Sequence, residues 1–403
     1  MSKINTVFPR PNARTPFLEA VRNAKMARSS HAYVRGNTLK FYEWLEESDQ
    51  TAIPNGPSIW ICGDCHLGNL GPVADPAGKV EVQIRDFDQV VIGNPAHDLI
   101  RLGLSLATAV RSSNLPGVTS ARMVEQLIEG YEAAFSGHGR KAALEIPALV
   151  AESVRESQQR SWRHLAKERL SGRIVKLPVG RKFWPLSKSE QSAVQKLFNQ
   201  EALQHLATVL KHRDDGSSVQ VLDAAYWLKG CSSLGLLRMA VLLDIDRDAS
   251  HGKELCLIDI KEGVTAAAPR DGRGKIPKDN AERIVTGARA LSPALGDRMV
   301  ATRLLDRSVF VRELLPQDLK LEIDLLTPKQ ASPIAYYLAY VVGKAHARQM
   351  NDETRKVWQR QLSQRRSKTF AAPSWLWSSI VDLVAYHERG YLEHCRLYAL
   401  ASG

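Results

Sequence analysis

Cysteine is scarce in this chain: five thiols (Cys62, Cys65, Cys231, Cys256 and Cys395) are scattered over 403 residues, an odd set that excludes a disulfide-stapled scaffold. Long apolar runs are missing too. No window approaches the ~18 consecutive apolar residues of a membrane-spanning helix, because Arg, Ser, Asp or Gly interrupts each apolar segment every few positions. The N-terminal MSKINTVFPRPNARTPF has no apolar stretch of the signal-peptide kind, so the expected compartment is the reducing cytoplasm. Acidic residues are in deficit, with 43 Asp plus Glu against 55 Lys plus Arg, a net charge of +12. That surplus points to an anionic partner or substrate: nucleotide, phosphorylated metabolite, nucleic acid or acidic lipid. Charge alone does not choose among them.

What is present suits a globular protein. Hydrophobic residues at 44% and charged residues at 24% argue against extensive disorder, and the length suits two or three lobes with a sizeable core. Apolar spacing predicts helices over 17–29 and 37–47. SIWIC (58–62) and KVEVQI (79–84) then read as two strands joined by a loop. From Pro95 to about Arg169 the pattern is helical, and residues 187–212 add another helix. Residues 219–326 turn strand-rich around one helix at 279–292, and helices return at 332–350 and 375–398. The expected division is 1–215 as a first helical part, 216–329 as a β-rich lobe and 330–403 as a second helical part. Two segments, 153–182 with nine Lys or Arg and 344–368 with eight, read either as solvated helix faces or as an anion-attracting rim.

The segment CGDCHLGNLG (62–71) holds the most chemistry. Cys62-Gly63-Asp64-Cys65-His66 matches the C-x-x-C-H of haem attachment in letter, but no export signal accompanies it. A zinc or redox reading of Cys62 and Cys65 lacks a second ligand pair and a βαβ context. A metallophosphoesterase would use Gly63, Asp64 and His66, yet its later histidine blocks are absent, and GNPAHD (93–98) only echoes them. Phosphoryl transfer fits better. It needs a carboxylate to receive the acceptor hydroxyl proton, an Asn five residues later to hold a metal ion, and a second Asp after a strand. Asp64, Asn69 and Asp86, the last in IRDFD, meet that spacing, and a short connection lets Asn69 and Asp86 reach the same cations.

GDCHLGN resembles the H-G-D-x-H-x-x-N loop of aminoglycoside and choline phosphotransferases, with Cys62 where those carry His, and RDFDQVVIGNPAHDLIRL (85–102) resembles their following run, with Asp98 as the structural Asp. SSHAYVRG (29–36), GCSSLGLLR (230–238), KEG (261–263) and GKAHARQ (343–349) in this order resemble a bacterial family of unknown function, domain family 2252, which is grouped with kinase-like proteins. The resemblance implies a kinase-like fold and leaves the substrate open.

The parts of a nucleotide lobe are found downstream of the catalytic loop. KGCSSLGLLRMAVLL (229–243) reads as a turn between strands, with Gly230 and Gly235 letting backbone approach phosphates and Ser232 and Ser233 offering donors. ELCLIDIKE (254–262) ends near Lys261, and Glu282 lies 21 residues on in a predicted helix, so a Lys261–Glu282 ion pair is expected. VFVRELL (309–315), which includes Glu313, would enter an adenine-binding hinge. DGRGKIPKD (271–279) is rejected as a P-loop because Ile276 stands where Ser or Thr is needed. His346 is expected to be a packed helix residue, and Arg35 a cation near the phosphates.

The sequence thus predicts an α+β, protein-kinase-like, two-lobed fold in circular permutation. Its expected activity is ATP- and Mg²⁺-dependent (or Mn²⁺-dependent) phosphoryl transfer to a hydroxyl acceptor that is acidic or phosphorylated. Asp64 and His66 are the catalytic candidates, Asn69 and Asp86 the metal ligands. Nucleotidyl transfer, a non-catalytic pseudokinase or nucleic-acid binder, and a phosphoesterase stand as alternatives, with nucleic acid the less favoured partner.

Overall fold

The computed structural model describes residues 8–113, 115–135, 145–160, 176–209, 216–246, 255–269, 272, 274–315, 317–318, 326–364, 366 and 371–398. The chain opens with α1 (Pro11–Met26), α2 (Ser30–Gly36) and α3 (Thr38–Glu47). Side-chain caps mark the starts of the last two: Ser29 accepts from the Ala32 N–H and Asn37 from the Lys40 N–H. Next come β1 (Ile59–Ile61), β2 (Leu70–Ala74), β3 (Val80–Ile84) and β4 (Val91–Gly93). The two strands predicted here are β1 and β3, but they do not pair. β1 pairs with β4, and β2 forms an antiparallel hairpin with β3. The partners of β1 and β3, β4 with three residues and β2 with the sequence LGPVA, are too short or too rich in Gly and Pro to carry a period-two signal.

Asn94 and Pro95 start α4 (Pro95–Ser112), the Asn94 side chain accepting from the Ala96 N–H. It is followed by α5 (Gly117–Ala133), α6 (Ala148–Gln159), β5 (Phe183–Pro185), α7 (Lys188–Leu197) and α8 (Glu201–Thr208). Residues 198–200 therefore break the single helix expected over 187–212. The remaining elements are β6 (Val219–Trp227), β7 (Arg238–Ile245), β8 (Leu255–Glu262), α9 (Asn280–Leu291), α10 (Pro293–Gly296), β9 (Met299–Leu304), β10 (Arg307–Glu313), α11 (Pro328–Ala347), α12 (Asp352–Leu362) and α13 (Ser374–Tyr398). The α+β class holds. Helices α2 and α12 were not anticipated, their polar sequences carrying little apolar periodicity.

One six-stranded sheet runs β5-β6-β7-β8-β10-β9, with every pairing antiparallel. It begins before residue 216, because β5 pairs with β6. α1, α7 and α8 cover one face: Leu18, Val194, Leu197, Leu203 and Leu206 join Met239, Val241, Ile258 and Ile260 in one apolar cluster. A larger core unites both chain ends, from Phe41 and Leu45 through Leu99 and Ile128 to Leu338, Trp358 and Leu376. No helix among the described residues is long and apolar enough to cross a membrane.

Candidate functional site

The loop between β1 and β2 is held from behind. Asp98, in the first turn of α4 and wholly buried, accepts hydrogen bonds from the N–H groups of Cys62 at 2.8 Å and Gly63 at 2.9 Å. His346 of α11 meets the same carboxylate at 3.1 Å and Tyr131 at 2.9 Å, which makes it the packed helix residue expected. Gly63 has φ +73°, and a Cβ there would lie 2.1 Å from the Gln89 carbonyl oxygen, so only glycine fits this turn.

Asp64 is buried beside Arg101 of α4, whose Nε and Nη2 contact its Oδ1 at 2.9 and 2.8 Å. Its Oδ2 faces His66 Nε2 at 3.8 Å. Burial raises the Asp64 pKa, with Arg101 and Thr38 pulling against that shift. His66 accepts the Gly68 N–H at Nδ1, so the neutral ring carries its proton on Nε2. Burial and the charges of Arg101 and Arg35 push its pKa well below the usual range. That leaves His66 a neutral donor and Asp64 the carboxylate of the pair. Asn69 donates Nδ2 to the Asp64 carbonyl at 2.8 Å, leaving its amide oxygen to serve another group.

A cavity of about 560 Å³ opens in front of this loop. Its walls bring together four predicted site residues near the loop, Arg35, His66, Asn69 and Asp86, with Gly230 and Ser232 of the turn between β6 and β7. The other predictions fall elsewhere. Asp64 stands one layer behind the wall, tied to Arg101. Ser233 donates to the Lys229 carbonyl at 2.9 Å and is buried. Gly235, at φ +98°, supports α1, its carbonyl accepting from Thr15 Oγ1 at 2.9 Å. Glu313 is wholly buried, and its carbonyl accepts from Arg298.

The expected Lys261–Glu282 pair is not formed. Glu282 is exposed at the start of α9, and Lys261 instead binds the Asp88 carboxylate and lies 3.6 Å from Asp86. The neighbouring residue, Arg283, makes the inward contact of that helix, donating to the carbonyls of Val90, Asp88 and Val264. One turn of a helix cannot aim consecutive side chains the same way.

Electrostatics divide the two carboxylates beside Lys261. Burial works to raise the Asp86 pKa, but Lys261, Arg312 and Arg238 outweigh it and hold this carboxyl well below its ordinary range. Burial and the Asp86 charge raise that of Asp88. Asp88 Oδ1 is buried and accepts no hydrogen bond from the described residues. Among the described residues no cluster of three or more His, Cys, Asp or Glu side chains forms a metal cage. The Asn69 amide and the Asp86 and Asp88 carboxylates are nonetheless hard oxygen donors. They suit a cation such as Mg²⁺ that keeps waters and shares phosphate oxygens.

The charge lining the cavity is one-sided, with Asp86 the single carboxylate among the described wall residues: Lys25 enters from α1, Arg28 from the turn after it, His31 from α2 and Lys229 from the β6–β7 turn. Arg85, Arg238 and Arg312 close its floor. Motif reading missed all of these. A signal existed for Arg238, Asp259 and Arg312, charged residues set within otherwise apolar strands, since such groups are seldom buried without partners. None of the described residues of the basic segment 344–368 lines this cavity: Lys344 meets Glu81 and Arg366 meets Glu132, and residues 365, 367 and 368 lie outside the described part. Of 153–182, residues 161–175 lie outside the described part.

Fold and site together define an α+β protein with a cation-walled cleft around a carboxylate and amide oxygen set. Residues 14–397 match the family model described as "Uncharacterized protein conserved in bacteria (DUF2252)", and the chain belongs to that family. No curated protein and no solved structure matches it.

Proposed function

We propose that this protein is a kinase-like phosphotransferase that moves a phosphoryl group from a triphosphate such as ATP, with Mg²⁺, to a hydroxyl acceptor. The observation that carries the reading is the meeting of Asn69 and Asp86 on one cavity wall, with Lys261 of the sheet held against Asp86. Strand order supports it. In β6-β7-β8-β10-β9 the helix α9 falls between β8 and β9, the arrangement of a kinase nucleotide lobe with its lysine on the third strand. The β1–β4 pair and the β2–β3 hairpin flank the two carboxylate loops as the equivalent strands do in a kinase catalytic lobe. Here those loops precede the sheet in the chain, which is the order a circular permutation produces.

In this reading Asp64 orients the acceptor hydroxyl and receives its proton, while Arg101 and the neutral His66 fix its direction. Asn69, Asp86 and Asp88 would hold Mg²⁺, which supplies charge neutralisation at the transferred phosphoryl group. Arg35 adds fixed positive charge at the cavity wall, and Lys261 adds it from behind Asp86. The test is ATP consumption and phosphoryl transfer, followed with a γ-labelled donor over a broad set of hydroxyl acceptors. Asp86→Asn should abolish both while leaving the circular dichroism spectrum unchanged. Equal ATP consumption by that variant would refute the assignment.

A further inference from the structure

The sheet face behind Lys261, where a kinase-like donor would lay its base, is already full. Register sets Arg312 opposite Asp259, and Arg238 opposite Lys261. Arg238 grips the Asp259 carboxylate through Nε at 2.9 Å and Nη2 at 2.5 Å. Arg312 reaches the same carboxylate at 3.3 Å and the Arg85 carbonyl at 3.1 Å. Burial favours protonation of Asp259, but the two guanidinium groups prevail and hold its carboxyl far below the usual range. This ionic layer lies across the three central strands, all of it buried or nearly so.

Beyond it the same face is apolar. Leu177 and Phe183 close over Trp227, Ala240, Leu257 and Leu314 as a separate apolar cluster, with the Phe183 and Trp227 rings stacked 5.6 Å apart. The backbone leaving β10 is occupied too. The Leu314 N–H donates to the Leu257 carbonyl at 2.8 Å, the Leu315 N–H to Asp318 at 3.3 Å, and the Glu313 carbonyl accepts from Arg298 at 3.2 Å. A base edge arriving here would find these three groups already paired. Among the described residues that line the cavity there is no aromatic ring apart from His31 and His66. What the cavity offers a ligand is positive charge from both sides.

We infer that the cleft recognises its donor through a chain of phosphate groups and not through a nucleobase, so a nucleoside triphosphate and inorganic triphosphate present it with the same ligand chemistry. The inference rests on the phosphoryl-transfer reading and sharpens it. Multidentate contact with several phosphates is what dispersed Arg and Lys side chains around an open cavity provide. Lys25 and Arg28 would grip the chain from the helix side, and Lys229 from the turn.

The experiment is calorimetric titration of the full chain in Mg²⁺ buffer with ATP, GTP, UTP, inorganic tripolyphosphate and, separately, sulfate. The expected result is dissociation constants for the four triphosphates within about threefold of one another, a difference below ~1 kcal/mol. Lys25→Ala should weaken all four alike, and sulfate should bind far more weakly. ATP binding about tenfold or more tighter than GTP and tripolyphosphate would overturn the inference and leave phosphoryl transfer standing. Sulfate binding as tightly as the triphosphates would overturn it as well, by showing an unspecific response to charge. If none of the triphosphates binds, both this inference and the phosphoryl-transfer reading fall.

Discussion

Lys261, on the third strand of the sheet's β6–β8 run, binds Asp88 on the loop that follows the β2–β3 hairpin, with both groups withdrawn from solvent. The contact joins the sheet to the helical body through one ammonium group shared by two carboxylates, since Asp86 lies 3.6 Å away. Removing the lysine leaves two neighbouring carboxylates without their nearest counter-charge. Lys261→Met should therefore destabilise the fold by about 3–5 kcal/mol, read from guanidinium denaturation. Lys261→Met combined with Asp88→Asn should recover part of that loss. A double variant no more stable than the single one would show that the pairing is incidental.

Gly68 should be required for function more than for folding. A Cβ at this position would lie 2.6 Å from Arg35 Nη2, the far end of a flexible side chain that can swing away. Gly68→Ala is expected to change stability by less than about 1 kcal/mol while displacing the guanidinium from the cavity wall. Triphosphate affinity should drop by up to about 100-fold, the scale of a lost charge-assisted contact. Unchanged affinity in the calorimeter would remove Arg35 from the binding set.

Asp98 is the anchor of the β1–β2 loop. Its two backbone hydrogen bonds, to Cys62 and Gly63, and its contact with His346 are all buried. Asp98→Ala strands two N–H groups and one imidazole, for an expected loss of about 3–5 kcal/mol in thermal or urea unfolding. Asp98→Asn, which keeps one acceptor oxygen, should lose less.

Acid should weaken the fold before the carboxylates with depressed pKa values, Asp86 and Asp259, titrate. Burial lowers the pKa of His387 to about 3 and of His97 to about 4, against about 6.5 in the unfolded chain. Between those values the unfolded state binds more protons, so stability rises with pH and is lost as pH falls below about 6.5. Each such histidine contributes a slope of up to about 1.4 kcal/mol per pH unit. Asp86 and Asp259, with depressed pKa values, contribute stability that is fully present above about pH 4 and is lost only as the pH falls further. The urea midpoint should thus fall between pH 7 and 5.5, and less so for His387→Gln. A flat profile in the parent protein would contradict the burial of these rings.

How much of this was legible beforehand depended on distance along the chain. Asp64, Asn69 and Asp86 belong to two short loops, and their spacing alone brought the last two to one wall. The partner of Lys261 was misjudged because helical periodicity places Glu282 on a turn without saying which way the turn faces, whereas Arg283 points inward. Lys25, Arg28 and His31 left no local trace, since the packing of α1 on the β6–β7 turn, through contacts such as Thr15 with Gly235, brings them to the cavity. Arg238, Asp259 and Arg312 were visible as charges in apolar strands. An alternating strand gives such charges two faces, and sequence does not say which is solvated.

The order of the chain has a consequence on the ribosome. Asp88 is translated 173 residues before Lys261, and Asp98 is translated 248 residues before His346. At about 5–20 residues per second, the acidic loop waits on the order of 10–35 s for the lysine that pairs with it. Throughout that interval the nascent chain carries Asp86 and Asp88 without the lysine that pairs with them in the finished fold. The half-made protein is thus an electrostatically different object from the finished one, and its cavity is incomplete until Arg312 of β10 has been made.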